Sequence, residues 1–163
     1  MKLFRNTLTL GAVDLAETTD LCSAKAILMK PGNKTKYVLS HYWIPESKLT
    51  ESADKAAGAR YEEWAQKGFM TICKGSIIDL TQVVDYILQL KKQYGITVYR
   101  IGYDKSYARE FEKAVDDLNE EMREPINQKV MSTPMKWAER DFQSHIINFG
   151  NNPVDEWCLG NAC

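Results

Sequence analysis

The stretch GAVDLAETTD, from Gly11 to Asp20, decides how the chain can fold, because it joins the end of an apolar strand to a polar turn. By the two-residue repeat of a strand, Asp14 continues a row of three apolar residues that we expect to be buried. Those residues are Leu8, Leu10 and Ala12. A carboxylate in such a row is costly unless a turn hydrogen bond, a basic partner or a bound cation compensates it. On this stretch alone all three possibilities stay open.

The composition is that of one globular domain. The chain has 163 residues and 44% hydrophobic content, enough to bury a sizeable core. Twenty-one basic and 22 acidic residues nearly cancel. This balance argues against a surface that binds nucleic acid everywhere, although a local basic groove is compatible with it. No apolar run reaches membrane-spanning length and no secretory signal opens the chain, so we expect an intracellular protein without a membrane partner.

The four cysteines are widely scattered and form no CxxC pair, and only two histidines accompany them. A structural zinc site is therefore disfavoured. Any metal must use oxygen ligands, and Mg²⁺ or Mn²⁺ are the natural candidates.

The hydrophobic periodicity and the turn signals predict an alternation of strands and helices after an initial meander. Strands are predicted at about 7–15, 21–30, 35–44, 69–74, 96–103 and 126–131, and helices at 52–66, 80–94, 106–119, 133–149 and 152–161. The helix at 133–149 is expected to turn four apolar residues inward: Met135, Ala138, Phe142 and Ile146.

A right-handed crossover through the helix at 80–94 would set the strand at 96–103 parallel to the first strand and could place it beside that strand. Asp14 and Asp104 would then emerge close together. Such a pair is stable at neutral pH if a divalent ion lies between the carboxylates or if one of them keeps its proton. The ordinary alternative is that each is a turn former or a helix cap. By the same reasoning His41 is expected to be packed and His145 to lie at the surface.

Six segments in the same order resemble the nuclease domain of phage terminase large subunits. They are GAVDLAETTDLCSA at 11–24, YEEWAQKG at 61–68, GSIIDL at 75–80, IGYDKSYA at 101–108, STPMKWAERDF at 132–142 and NNPVDEWCLGNA at 151–162. No single segment is decisive, but six in register are specific. The resemblance implies an α/β fold of the RNase H-like, integrase type: a mixed sheet of three antiparallel strands and then parallel strands, flanked by helices.

The resemblance also implies an activity, namely a metal-dependent endonuclease that cuts concatemeric double-stranded DNA by two-metal hydrolysis during genome packaging. Asp14 and Asp104 match the family's first two metal ligands and are the expected catalytic residues. Asp20 corresponds to a nearby acid in some members and is the third expected ligand. The expected cofactor is Mg²⁺ or Mn²⁺, with two ions in the complete site. Lys105 and Lys136 are the candidates for DNA contact, although charged helix faces are commonly just solvated.

The implied partners are double-stranded DNA, the terminase ATPase domain, the small terminase subunit and the portal, in the host cytoplasm. Because no GxxxxGK[ST] loop occurs, residues 1–163 are expected to form a single nuclease domain without the family's ATPase domain. The family's third catalytic acid lies on a C-terminal helix beyond the last matched segment, whereas Asp141 and Asp155 fall where the family has no ligand. We therefore expect little or no cleavage by this chain alone.

Two alternatives stay open at the level of sequence. One is another RNase H-like nuclease, such as a junction resolvase or an RNA:DNA hybrid nuclease. The other is a non-catalytic module that uses the same fold for docking to packaging proteins.

Overall fold

Three consecutive strands form an antiparallel meander, as the turns between them predict. In the computed structural model, which describes residues 4–18, 20–50, 52–106 and 108–161, they are β1 (Thr7–Asp14), β2 (Cys22–Met29) and β3 (Lys36–Pro45). The reverse turn before β3 is closed by a 3.0 Å hydrogen bond from the Asn33 amide to the Lys30 carbonyl. This part of the sequence prediction is confirmed within a residue or two.

The second half of the chain adds helices and parallel strands. These are α1 (Ser52–Ala56), α2 (Tyr61–Gln66), β4 (Met70–Cys73), α3 (Thr81–Tyr94), β5 (Ile96–Tyr103), α4 (Arg109–Asn119), β6 (Arg123–Pro125), α5 (Ser132–Gln143), β7 (Ile147–Asn148) and α6 (Pro153–Gly160). The sheet order is β4-β3-β2-β1-β5-β6, with β7 also paired to β3. β5 lies beside β1 and runs parallel to it, so the predicted mixed sheet and the predicted parallel position of this strand are confirmed.

One face of the sheet carries the main core. Alternate residues of β1 and β2 on this face pack against the apolar stripes of α3 and α4. Val83 and Ile87 of α3 and Phe111 of α4 are buried there. α3 stops at Gly95, whose left-handed backbone (φ 68°) lets its amide bond the Leu90 and Lys91 carbonyls. A second, smaller cluster joins α2 and α6 beside β3 and β4.

The row of β1 that we expected to be buried is exposed, so this prediction is wrong. Its members are Leu8, Leu10, Ala12 and Asp14. Leu8 is 70% and Leu10 47% exposed, whereas Val13 and Leu15 on the opposite face are buried in the main core. The covered row is the less apolar of the two: Thr7, Thr9, Gly11 and Val13. Hydrophobicity therefore did not decide which row is buried, and the side of the sheet to which α3 and α4 return did.

Two predicted boundaries around residue 60 and residue 126 are also wrong. The helix predicted at 52–66 is divided into α1 and α2, because Gly58 adopts a left-handed backbone (φ 85°) that interrupts the helix. The strand predicted at 126–131 does not form. The short β6 pairs with the end of β5 instead, and the Asn127 side chain accepts a 3.0 Å hydrogen bond from the Lys129 amide, which starts a 3-10 turn at Gln128–Val130.

α5 is shorter than predicted and does not turn its apolar residues inward. It ends at Gln143, and Met135, Ala138 and Phe142 are exposed, while Ile146 lies beyond its end and is half-buried. The residue that α5 buries is Asp141, which forms an ion pair with Lys36 of β3. An ion pair rather than an apolar stripe therefore attaches α5 to the sheet, and hydrophobic periodicity could not predict this.

Candidate functional site

The ends of β1 and β5 bring the two predicted acids to one edge of the sheet. Val13 of β1 pairs with Tyr103 of β5 in parallel register, and each is followed directly by an aspartate, Asp14 or Asp104. On the other side Asp14 pairs with Ser23 of β2. The convergence of Asp14 and Asp104 follows from the parallel crossover and is confirmed at the level of strand register.

Asp14 is electrostatically unfavourable in its ionised form. Its side chain remains accessible to solvent, but surrounding protein removes part of its hydration, and this partial burial is the main cause that raises its pKa. The negative charges of Asp20 and Asp104 raise the pKa further. A cation placed near these three carboxylates would relieve the repulsion.

Asp104 also has the ordinary role of a turn former. Its Oδ1 accepts hydrogen bonds of 2.8 Å from both the amide and the hydroxyl of Ser106, just before α4 begins. These bonds orient the carboxylate and are the local structure expected of an aspartate after a strand. A structural and a ligand role are compatible here, because a carboxylate has two oxygens.

The carboxylates do not form a ready-made metal centre. Within residues 4–18, 20–50, 52–106 and 108–161, no group of three or more His, Cys, Asp or Glu side chains is arranged to hold a metal ion. Asp20 is exposed in the turn between β1 and β2, close enough to Asp14 to affect its pKa. The metal-ligand roles of Asp14, Asp104 and Asp20 thus stay a prediction.

A cavity of about 660 Å³ lies beside Asp14, between the exposed face of β1 and β2 and the helices α5 and α6. Asp14 and Asp20 line it together with apolar residues such as Phe142 and Leu159. Asp104 borders a different depression, of about 580 Å³, with Lys105 and Lys129. The two catalytic candidates therefore follow neighbouring strands, but Asp14 lines one depression of the surface and Asp104 lines another.

A buried polar network on the cavity wall was missed by sequence reasoning. Oδ1 of Asp155 forms an ion pair with Lys25 and accepts hydrogen bonds from Tyr42 (2.6 Å) and Ser40 (3.1 Å). Burial, and then the contact with Asp155, raises the pKa of Tyr42, so the phenol stays protonated and donates. The available signal was Lys25, a charged residue in the middle of an apolar strand.

The remaining polar candidates lie where they were expected. Lys105 is exposed directly after Asp104, and Lys136 is exposed on α5. His41 is packed, with its ring stacked on Tyr86 at 4.9 Å, and burial lowers its pKa to about 4. His145 is exposed, although it lies just beyond α5. None of the helices in the described part of the chain has the length and apolarity to cross a membrane.

Comparison with known proteins identifies relatives of this fold. Protein YmfN of Escherichia coli (strain K12) is 26% identical over 161 residues, covering 93% of this chain and 34% of that protein. The crystal structure of the HK97 bacteriophage large terminase matches with a TM-score of 0.72 at 21% identity, over 91% of this chain and 31% of that one. The second match confirms the RNase H-like fold class. This chain spans about a third of the length of either relative.

A family model described as terminase large subunit, endonuclease domain, matches residues 3–163. This match includes both strand ends that carry Asp14 and Asp104. The chain thus belongs to the family of terminase large subunit endonuclease domains.

Proposed function

We propose that this chain is the metal-dependent endonuclease domain of a phage DNA-packaging terminase and that Asp14 and Asp104 are its first two catalytic acids. The observation that carries the proposal is the parallel register of β1 and β5, in which Val13 and Tyr103, the residues before the two acids, are paired. Membership of the family supports the nuclease assignment. The substrate would be concatemeric double-stranded DNA.

The residues present fit a hard divalent cation. Asp14 and Asp104 offer carboxylate oxygens, and Asp20 would support them. Partial burial, and then the charges of Asp20 and Asp104, raise the pKa of Asp14, and a bound cation would offset the repulsion among these acids. Mg²⁺ or Mn²⁺, when bound, would activate a water molecule and stabilise the charge on the phosphate, with two ions in the complete site. The hydrogen bonds from Ser106 would hold the Asp104 carboxylate in a fixed orientation toward the bound cation.

The protein side chains would also position the DNA. Lys105, which follows Asp104 and borders the same depression as Lys129, would contact the phosphate backbone. Lys136 on α5 would add a second contact. Because the whole chain carries nearly equal numbers of acidic and basic residues, its affinity for DNA should depend on such local contacts and on delivery by a motor.

The wider assembly belongs to the proposal as well. Residues 1–163 would act as one nuclease domain in a terminase that also has an ATPase domain and that works with a small subunit and a portal in the host cytoplasm. A third acid would come from a C-terminal helix outside these residues. For this reason we expect the chain alone to bind metal weakly and to cleave DNA slowly or not at all.

The test compares Asp14→Asn and Asp104→Asn with Asp79→Asn. Asp79 is a matched control because its Oδ1 accepts from the amide (3.0 Å) and the hydroxyl (2.6 Å) of Thr81, just as Asp104 accepts from Ser106. Mn²⁺ binding is measured by calorimetry on this chain. Cleavage of linear double-stranded DNA is measured on a longer protein that includes the C-terminal helix.

We expect the two site variants to weaken Mn²⁺ binding and to reduce cleavage by more than about 100-fold, since even changes outside the ligand shell cost about 10- to 100-fold. The Asp79 variant should keep both properties. If Asp14→Asn leaves Mn²⁺ binding unchanged, the chain is better described as a docking module. A preference for branched DNA or RNA:DNA hybrids would instead indicate another RNase H-like nuclease.

A further inference from the structure

The outer edge of β3 is interrupted by a gap in the sheet. β7 pairs with β3 at Lys36 and Tyr37, and β4 pairs with it at residues 42–45. β2 occupies the other side of β3 along residues 36–43, so β4 and β7 must lie on the same side. Residues 38–41 of β3 therefore have a neighbouring strand on one side only, within the described chain.

A cavity of about 550 Å³ occupies this gap. Its walls are residues 38–41 of β3, the chain just before β4, the chain just after β7, and one side of α3. The gap is about 13 Å long, since a strand rises about 3.3 Å per residue. Alternate residues of a strand direct their amide and carbonyl groups to the same side, so half of these four residues present main-chain groups to the cavity. Such an unpaired edge is a template for another extended chain.

The side chains of the cavity select against anions. α3 presents three glutamines, Gln82, Gln89 and Gln93, and one acid, Asp85. No lysine or arginine of the described residues lines the cavity, so a phosphate group or a nucleic-acid backbone would find no counter-charge. Glutamine amides both donate and accept hydrogen bonds, as a peptide backbone does. Asp85 is the acid among the described residues that line the cavity, and its carboxylate favours a basic side chain in the ligand.

We propose that this gap, the β3 edge slot, binds an extended peptide segment of about four residues. The slot comprises residues 38–41 of β3 and the side of α3 that carries Gln82, Asp85, Gln89 and Gln93. The peptide adds to β3 as a short strand between β7 and β4, and a Lys or Arg of the peptide lies near Asp85. The volume of the slot is within the ordinary range of ligand sites, about 300 to 1,000 Å³. This binding is independent of the nuclease site, because Asp14 and Asp104 do not line the slot.

The experiment selects peptides from a random heptapeptide phage library on the immobilised chain. Each enriched peptide is then synthesised in two forms, one unmodified and one N-methylated at its central residues, and titrated by fluorescence anisotropy. N-methylation removes the backbone donors that a strand needs and leaves the side chains unchanged. Gln89→Trp fills the slot from an exposed position of α3, and Lys92→Trp is its control, being exposed on the same helix outside the slot.

We expect enriched peptides rich in β-branched residues with one basic residue, whose Kd rises at least tenfold on N-methylation and in Gln89→Trp but not in Lys92→Trp. Asp85→Lys should weaken the binding of these peptides and favour the binding of peptides that have Glu in place of the basic residue. Amides of residues 38–41 should exchange hydrogen more slowly when peptide is bound. The proposal is overturned if no peptide is enriched more strongly on the wild-type chain than on the Gln89→Trp variant. It is also overturned if N-methylated peptides bind as tightly as unmodified ones.

Discussion

Replacement of Asp155 by alanine tests how α6 is held against the sheet. Asp155 is 5% exposed. Its Oδ1 forms an ion pair with the Lys25 ammonium and accepts hydrogen bonds from the hydroxyls of Tyr42 and Ser40. Removing one partner of a buried ion pair costs about 3–5 kcal/mol. The Lys25 side chain is 36% exposed and can regain water, which lowers the cost, whereas the buried Tyr42 hydroxyl loses its acceptor, at about 1–3 kcal/mol.

We therefore expect Asp155→Ala to lower the free energy of unfolding by about 3 kcal/mol and Tm by about 6–12 °C. Urea denaturation followed by circular dichroism at pH 7, with a parallel thermal scan, measures both quantities. Glu156→Ala changes the next, exposed residue of α6 and should remain within about 0.5 kcal/mol of the wild type. A loss below about 1 kcal/mol for Asp155→Ala, or one equal to the control, would refute the reasoning.

Three further predictions concern β1 and β3. Asp14→Asn should raise the free energy of unfolding at pH 7 without divalent metal, because partial burial and two neighbouring acids raise the pKa of Asp14 and oppose its ionisation. In a pH series of urea titrations this gain should shrink as the pH falls toward about 3.9, the ordinary aspartate pKa. A gain that keeps its full size there would contradict the claim that ionised Asp14 destabilises the fold. Gly11→Ala should cost about 1–3 kcal/mol in urea denaturation, since its Cβ would lie 2.8 Å from Cγ1 of Val98; an unchanged midpoint would count against this close packing. Burial lowers the pKa of His41 to about 4, so the unfolded chain binds a proton that the folded chain does not, and stability should fall between about pH 6.5 and 4. His41→Gln should remove that part of the pH dependence. If the free energy of unfolding of both proteins changes with pH in parallel, this role of His41 is excluded.

Local signals sufficed where the fold depends on neighbouring residues. The meander of β1 to β3 was predictable because strand alternation and the turn at 31–34 act over a few residues. α3 was predictable because its apolar stripe and Gly95 mark both its face and its end. A right-handed crossover predicted that β5 runs parallel to β1 and could lie beside it, and the observed pairing brings Asp14 and Asp104 to the same edge.

Several of the errors occurred where contacts between distant parts of the chain outweigh local preference. The strand predicted at 126–131 does not form, because the place beside β5 is taken by β6 and Asn127 starts a 3-10 turn. α5 was given an apolar buried stripe, yet it is attached through Asp141 and Lys36, which are far apart in sequence. The polar network of Asp155 was missed for the same reason.

The residue pattern alone predicted the three-stranded meander, α3 and the strand before Asp104, and it allowed the two acids to emerge close together, because each depends on short-range periodicity and on the chirality of the chain. Assembly of the sheet decided which face of β1 is covered, how α5 and α6 are attached, and that Asp14 and Asp104 line separate depressions of the surface. These outcomes rest on burial and on ion pairs between residues more than a hundred positions apart. Such contacts exist only once the chain is folded, so the order of residues does not reveal them.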